Sequence, residues 1–253
     1  MTPKSIAFLL TLVLIVSGAV RAEELSGPAQ RASIRTQLAA EYFKRGQYST
    51  ALDEIQKALA ADPKYASAYS VAGLIYSELK EAAPARKNFL EALRLTPDDP
   101  DINHNYGWFL CQQGQYKEGV AYYMKAVQNP LYETPDRSLV NAGQCTAKSG
   151  DLDGGRDYLL RALRLRPSSL TARIELVELD LKRKDFVEAK RYLIESQKLT
   201  QPSAQMAWLA VRVEHALGNQ DNEARYADLL RKQYPDSLET ARLLTNQYDA
   251  PAE

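Results

Sequence analysis

A chain of 253 residues, 45% apolar and 25% charged, has the balance of an ordinary soluble globular protein, with length for one large or two small domains. Its 32 Lys and Arg are matched by 32 Asp and Glu, and zero net charge argues against a nucleic-acid reader, which needs a basic surface. Two His and two Cys in the whole chain are too few and too scattered for a metal centre.

The N-terminus opens with Lys4 and then an apolar run, residues 6–16, broken only by Thr11. Val20-Arg21-Ala22 follows, with short side chains at the two positions a signal peptidase reads. The run is well short of the roughly 20 residues a membrane-spanning helix needs, so residues 1–22 are expected to be a cleaved secretory signal. An uncleaved anchor is the competing reading. Val16-Ser17-Gly18-Ala19 has the shape of a lipoprotein box with Ala19 where the acceptor Cys belongs, so no lipid is expected there. The expectation is a protein in the periplasm, soluble or peripheral to the outer membrane. Residues 23–31 contain Gly27 and Pro28 and no apolar periodicity, and are expected to form a flexible leader.

From residue 32 the text repeats. Leu38, Ala39, Tyr42, Ala51, Ile55, Ala58 and Pro63 return 34 residues on as Ala72, Gly73, Tyr76, Ala85, Phe89, Ala92 and Pro97. The pattern continues through residues 100–133, 136–169, 170–203 and 204–237, with weaker matches in the last two segments. Each segment is two amphipathic stretches with apolar residues at helical spacing. Small residues stand where the two stretches would cross: Gly73 with Ala85, Gly107 with Gly119, Gly143 with Gly155. Gly46, Gly114, Gly150 and Gly218 mark the turn inside four of the segments, where positive φ is needed, and Pro63, Pro97, Pro167 and Pro235 close the second stretch. A period of 34 with this pattern resembles the tetratricopeptide repeat. The expected fold is all-α: a right-handed solenoid of six helix pairs (residues 32–65, 66–99, 100–133, 136–169, 170–203 and 204–237) with residues 238–249 as a capping helix. Two residues are inserted before the fourth segment, in a stretch holding Pro130 and Pro135.

No catalytic constellation is present. His104 and His215 keep no motif spacing with a nucleophile or an acid, there is no phosphate-binding Gly loop, and neither an enzyme nor a cofactor is expected. Cys111 falls at position 12 of one segment and Cys145 at position 10 of the next. An even Cys pair on neighbouring first helices of an exported chain points to a disulfide, the alternative being two thiols that fill core space. First-helix positions 2, 5, 6, 9, 12 and 13 of such repeats face the inner groove, which nominates Asn105, Trp108 and Gln112 in the third segment and Arg137, Asn141, Gln144 and Lys148 in the fourth. Asn105 and Asn141 share position 6, and an amide offers a donor and an acceptor to an extended peptide. The alternative is that both amides cap or pack within the array. Trp108 is equally readable as a groove anchor or as core. Arg137 and Lys148 would favour an acidic segment or a free carboxylate.

A narrower likeness rests on particular residues: Asn105-Tyr106-Gly107-Trp108-Phe109-Leu110-Cys111, Gly114, Asn129-Pro130-Leu131-Tyr132 and Asn141-Ala142-Gly143-Gln144-Cys145. With Gln37-Leu38-Ala39-Ala40-Glu41-Tyr42 and the exported N-terminus, they resemble the PilF/PilW family of type IV pilus biogenesis proteins. The resemblance implies a non-enzymatic scaffold that assists assembly or outer-membrane localisation of the pilus secretin and supports pilus stability. It implies as partner the secretin or another pilus-assembly protein, and neither nucleic acid nor a small-molecule substrate. Many members are lipoproteins, and Ala19 departs from that pattern. A generic periplasmic tetratricopeptide adaptor of another envelope or export complex is the rival reading.

Overall fold

The computed structural model describes residues 27–248, so the expectations for the secretory signal lie outside the described residues. Among these residues there are thirteen helices and no strand. Twelve form antiparallel pairs: α1 (Pro28–Lys44) with α2 (Tyr48–Ala61), α3 (Ala66–Glu78) with α4 (Ala82–Leu95), α5 (Pro100–Gln112) with α6 (Tyr116–Gln128), α7 (Pro135–Lys148) with α8 (Leu152–Leu165), α9 (Leu170–Lys182) with α10 (Phe186–Gln197), and α11 (Ala204–Ala216) with α12 (Gln220–Gln233). A short α13 (Leu238–Leu244) covers the end of the last pair. The first helices α1, α3, α5, α7, α9 and α11 each pack on the next along one side of the stack, which is the solenoid arrangement.

Local chemistry sets the boundaries. α2, α4, α8 and α12 stop two residues before Pro63, Pro97, Pro167 and Pro235, whose rings cannot continue a helix. Asp99, Asp151, Ser169, Asp185, Ser203 and Asn219 each accept a backbone N–H three residues on, capping the helix they precede. Between the helices of a pair, Gly46, Gly114, Gly150 and Gly218 take φ values of 71°, 74°, 99° and 70°. Lys80 and Lys184 occupy the same left-handed place at 62° and 61°, where a side chain costs about 1 kcal/mol.

Two boundaries differ from the sequence expectation. α1 begins at Pro28, inside the stretch expected to be a leader, because Pro is favourable at a first helical position and Ala32 and Thr36 are buried behind it. α13 ends at Leu244, short of residue 249, because Asn246 turns left-handed at φ 53°. The chain then lays the Tyr248 ring on Trp208 and on His215, with centroids 5.7 and 4.1 Å apart.

Within a pair, the helices cross where side chains are absent. A Cβ on Gly107 would lie 2.9 Å from the Gly119 carbonyl oxygen, and one on Gly143 would lie 2.9 Å from the Gly155 oxygen. The Gly73 crossing is filled instead by the Phe89 ring, 2.8 Å from where a Cβ would stand. Phe89 is fully buried with Tyr106, Phe109 and Leu110, and carries the core from the second pair to the third. The later pairs are stitched differently. Arg156 of α8 meets the fully buried Asp180 of α9 at 3.0 Å, and 34 residues on Lys190 of α10 meets Glu214 of α11 at 2.9 Å. The sulfurs of Cys111 and Cys145 lie at bonding distance, with Cα atoms 5.8 Å apart, as a disulfide requires.

Two expectations follow. Gly119→Ala gains helix propensity, but its Cβ would stand 2.8 Å from the Gly107 oxygen and 2.5 Å from the Cys111 sulfur, neither of which can yield easily. Overpacking should win, lowering stability by about 1–3 kcal/mol in urea unfolding; an unchanged or higher midpoint would refute the crossing argument. Cys145→Ser should lower the thermal midpoint under oxidising conditions and leave it nearly unchanged in reductant. The crosslink spans 34 residues, for which chain entropy gives an upper figure of roughly 3–4 kcal/mol. Two titratable thiols in unfolded, unreduced protein would show that no crosslink forms.

Candidate binding face of the first helices

The inner face is a ladder of equivalent positions. Position 6 of the six first helices reads Gln37, Val71, Asn105, Asn141, Glu175 and Leu209, and position 9 reads Ala40, Leu74, Trp108, Gln144, Glu178 and Arg212. Position 9 is apolar at its start, amide-bearing in the fourth helix and charged at its end, while position 6 carries its two Asn amides in the middle and Glu175 before an apolar end.

The nominated residues fall into three groups along it. Trp108 is half-buried, with its ring packed on the clusters around Phe109 and Tyr123, so it is partly core and partly groove wall. Asn105 beside it donates to Ser70 Oγ at 3.1 Å, across to α3. Gln112 is exposed at the last turn of α5.

Arg137 and Asn141 both turn toward His104 of α5, which was not among the nominated residues. Arg137 Nε donates to His104 Nε2 at 3.2 Å, and Asn141 Nδ2 lies 3.4 Å from the same atom. Nε2 must therefore accept, which leaves the proton on Nδ1. That nitrogen donates to Ser138 Oγ at 2.7 Å, and Ser138 passes its own hydrogen to Tyr132 Oη at 3.0 Å. Tyr132 comes from the insertion before α7, so this chain of bonds fastens the irregular linker to α5. The imidazole stands edge-on to Tyr123, 5.3 Å between centroids. Burial, reinforced by the Arg137 charge, pushes the His104 pKa down to about 3. Burial likewise raises the Tyr123 phenol, against a hydrogen bond with Asn141.

Gln144 and Lys148 line a pocket of about 260 Å³ between α7 and α9, with Ala147, Glu175, Glu178, Lys182 and, from α11, Gln205. Burial raises the Glu175 carboxyl above its ordinary range, opposed by a hydrogen bond with Gln144 and by the Lys182 and Lys148 charges. Glu178 is buried; its Oε2 meets Arg212 at 3.0 Å, while its Oε1 has no hydrogen-bond partner among the described residues. Glu175, Glu178 and Lys182 were not nominated from the sequence. The signal was there, since they stand one repeat on from Asn141, Gln144 and Lys148. Trp208, at position 5 of its helix, is fully buried and belongs to the core. Among the described residues, no three His, Cys, Asp or Glu side chains group as a metal centre would need, and no helix is long and apolar enough to cross a membrane.

Tetratricopeptide-repeat family signatures match residues 39–80, 66–99 and 88–121. The crystal structure of PilW, a widely conserved type IV pilus biogenesis factor, superposes with a TM-score of 0.78 at 34% identity, covering 85% of this chain and 99% of PilW. The chain belongs to the PilF/PilW family of type IV pilus biogenesis proteins. The type IV pilus assembly protein PilF of Pseudomonas aeruginosa is 27% identical over 203 residues, which cover 80% of this chain and 81% of PilF. A solved structure of Pseudomonas aeruginosa PilF superposes with a TM-score of 0.73 at 25% identity, covering 87% of this chain and all of that one.

In this PilF/PilW protein, His104 supplies an acid-sensitive joint. Its folded pKa lies below its unfolded value near 6.5, so the stabilisation it gives is complete above about pH 6.5 and is lost as pH falls toward 3. Protonating Nε2 would break two hydrogen bonds and set a second cation beside Arg137. At pH 4.5 the loss should reach roughly 2–3 kcal/mol at most. The check is the urea midpoint from pH 7 to pH 4 for wild type and His104→Gln. The variant should start lower and show the flatter acid slope; parallel slopes would exclude His104 as the titrating group.

Proposed function

We propose that this PilF/PilW protein is a non-enzymatic periplasmic scaffold for type IV pilus biogenesis. Its inner face would receive an extended segment of the pilus secretin or of another pilus-assembly protein. What supports the pilus assignment is the likeness to PilW along 99% of that protein. What supports the face is the half-exposed row from Asn105 and Trp108 to Asn141 and Gln144, on helices held rigid by their crossings. An extended peptide carries unpaired backbone donors and acceptors at regular intervals, and side-chain amides one repeat apart can meet both kinds. Trp108 adds an aromatic wall of the kind that anchors interfaces. Arg137 and Asn141 also bond to His104, so besides facing the groove they hold α5 and α7 together as its floor.

The experiment is capture of envelope partners by the full chain and by a Trp108→Ala, Gln144→Ala double variant. Both positions are half-exposed, so the variant should keep its helical circular dichroism. Wild type should retain the pilus secretin or another pilus-assembly protein, and the double variant should lose about tenfold or more in affinity. Undiminished capture by the folded variant would move the site off this face. Capture of a different envelope complex would favour the general adaptor.

A further inference from the structure

A second opening, away from the inner row, lies where the linker before α7 meets α8. Val127, Pro130, Leu139 and Leu165 are among its walls, and it encloses about 390 Å³. No acidic residue lines it; its charges are Arg161 and Arg164, one turn apart on α8. Other second helices neutralise such cations within themselves: Lys57 with Glu54, Arg94 with Glu91, Arg191 with Glu188, Arg231 with Asp228. The repeat sets Glu91-Ala92-Leu93-Arg94-Leu95 of α4 over Arg161-Ala162-Leu163-Arg164-Leu165 of α8. The partner acid of Arg94 is thus replaced by a second cation. Arg156 and Arg166 of α8 are engaged, with Asp180 and Asp136. Arg161 rests over the Tyr158 ring, 5.3 Å from its centroid, and neither Arg161 nor Arg164 forms a hydrogen bond or ion pair among the described residues. The acid one turn back, Asp157, is exposed and does not line the cleft. Beside these cations apolar surface is left open. Leu165 is 56% exposed, and Leu131, between two lining residues, is 85% exposed. Leu131 is held there: its N–H donates to Asn129 Oδ1 at 2.9 Å, Asn129 Nδ2 donates to the Asp98 carbonyl at 2.9 Å, and Tyr132 beside it is buried. An ordered segment that keeps an apolar side chain in water beside unpaired cations marks an interaction surface.

We propose that this cleft is a second docking site, for a partner protein segment that presents a bulky apolar side chain next to an Asp or Glu. The apolar side chain enters among Val127, Pro130, Leu139 and Leu165. The carboxylate is held by Arg161 and Arg164, whose planar guanidiniums suit paired hydrogen bonds to it. Like charges one turn apart repel, and an anion between them relieves that repulsion. The volume suits one large side chain and excludes a folded element. An anionic membrane surface fits less well. Glu133 is exposed two residues from Leu131, and Asp98, whose carbonyl Asn129 holds, is exposed too, so acids stand beside the leucine where anionic headgroups would lie. The site goes beyond the inner-face reading and does not rest on it.

The probes are acetylated, amidated dipeptides, titrated into the full chain and followed by amide chemical shifts of α8 and the linker before α7. Leu-Glu carries both features, Leu-Gln lacks the charge, and Ala-Glu lacks the apolar bulk. Saturable shifts confined to the cleft, with dissociation in the millimolar range, are expected for Leu-Glu. The other two should each bind about fivefold more weakly or worse. Arg164→Gln, at an exposed position, should keep the fold and abolish the preference for Leu-Glu over Leu-Gln, and Arg161→Gln should reduce it. A residue that merely shaped the cleft would weaken both probes alike. The proposal is overturned if Leu-Glu gives no saturable shift, if Leu-Gln binds equally, or if the preference survives both variants. It is also overturned if the dipeptides do nothing while vesicles of phosphatidylglycerol and phosphatidylethanolamine bind the chain and lose it on Arg164→Gln; the surface then belongs to a membrane. The Trp108→Ala, Gln144→Ala variant should bind Leu-Glu like wild type, so failure of the inner face and failure of this cleft are told apart.

Discussion

Everything in this molecule depends on how closely the two helices of a pair approach. At Gly107 with Gly119 and at Gly143 with Gly155, backbone passes backbone with no room for a methyl group. That contact fixes the crossing of each pair, and the crossing fixes where the first helix presents its inner face. A solenoid amplifies small angular changes, because each pair is set on the one before. The two glycine crossings are in the third and fourth pairs, the same pairs that carry Trp108, Gln144 and the two cysteines. The place where the array is most tightly specified is therefore the place where its surface chemistry changes.

The insertion before α7 shows how the array absorbs an irregularity. Two extra residues would ordinarily leave a loose linker between the third and fourth pairs. Here Tyr132 turns inward, is almost wholly buried, and joins Ser138 and His104 in one chain of hydrogen bonds. His104 could not serve if charged, and its burial beside Arg137 keeps it neutral. The sulfurs of Cys111 and Cys145 meet at the far end of the same two helices. Polar bonds at one end and sulfur contact at the other pin α5 to α7 across the one junction where the repeat spacing slips.

Much of this was legible in the sequence, for physical reasons. Gly and Pro report backbone geometry directly, so Gly114, Gly150, Pro97 and Pro167 placed the turns and the helix ends. The third and fourth segments also carried the family likeness, through residues from Asn105 to Cys145. The last two pairs were faint because they replace apolar contacts with Arg156–Asp180 and Lys190–Glu214, and an ion pair inside an interface looks like surface in a hydrophobicity pattern. The polar partners of Asn105 and Asn141 were not legible either, because a donor at position 6 does not say whether its acceptor is a ligand or a neighbouring Ser70 or His104. Glu175 and Glu178 escaped for a simpler reason: the inner positions were read only where the family motif drew attention, although the same spacing reaches them.

The ladder along position 9 explains why such a face can have a direction. Ala40 and Leu74 offer apolar surface, Trp108 an aromatic wall, Gln144 an amide, and Glu178 a carboxylate, after which Arg212 and Tyr248 close the row. Any ligand laid along this order would meet apolar surface at one end and charge at the other, so its two directions are not equivalent. Burying an unpaired charge costs far more than misplacing an apolar side chain, so the charged end decides the orientation while the apolar end contributes area. The rigid crossings make that discrimination possible, since a groove free to flex could move its carboxylates to meet the wrong end.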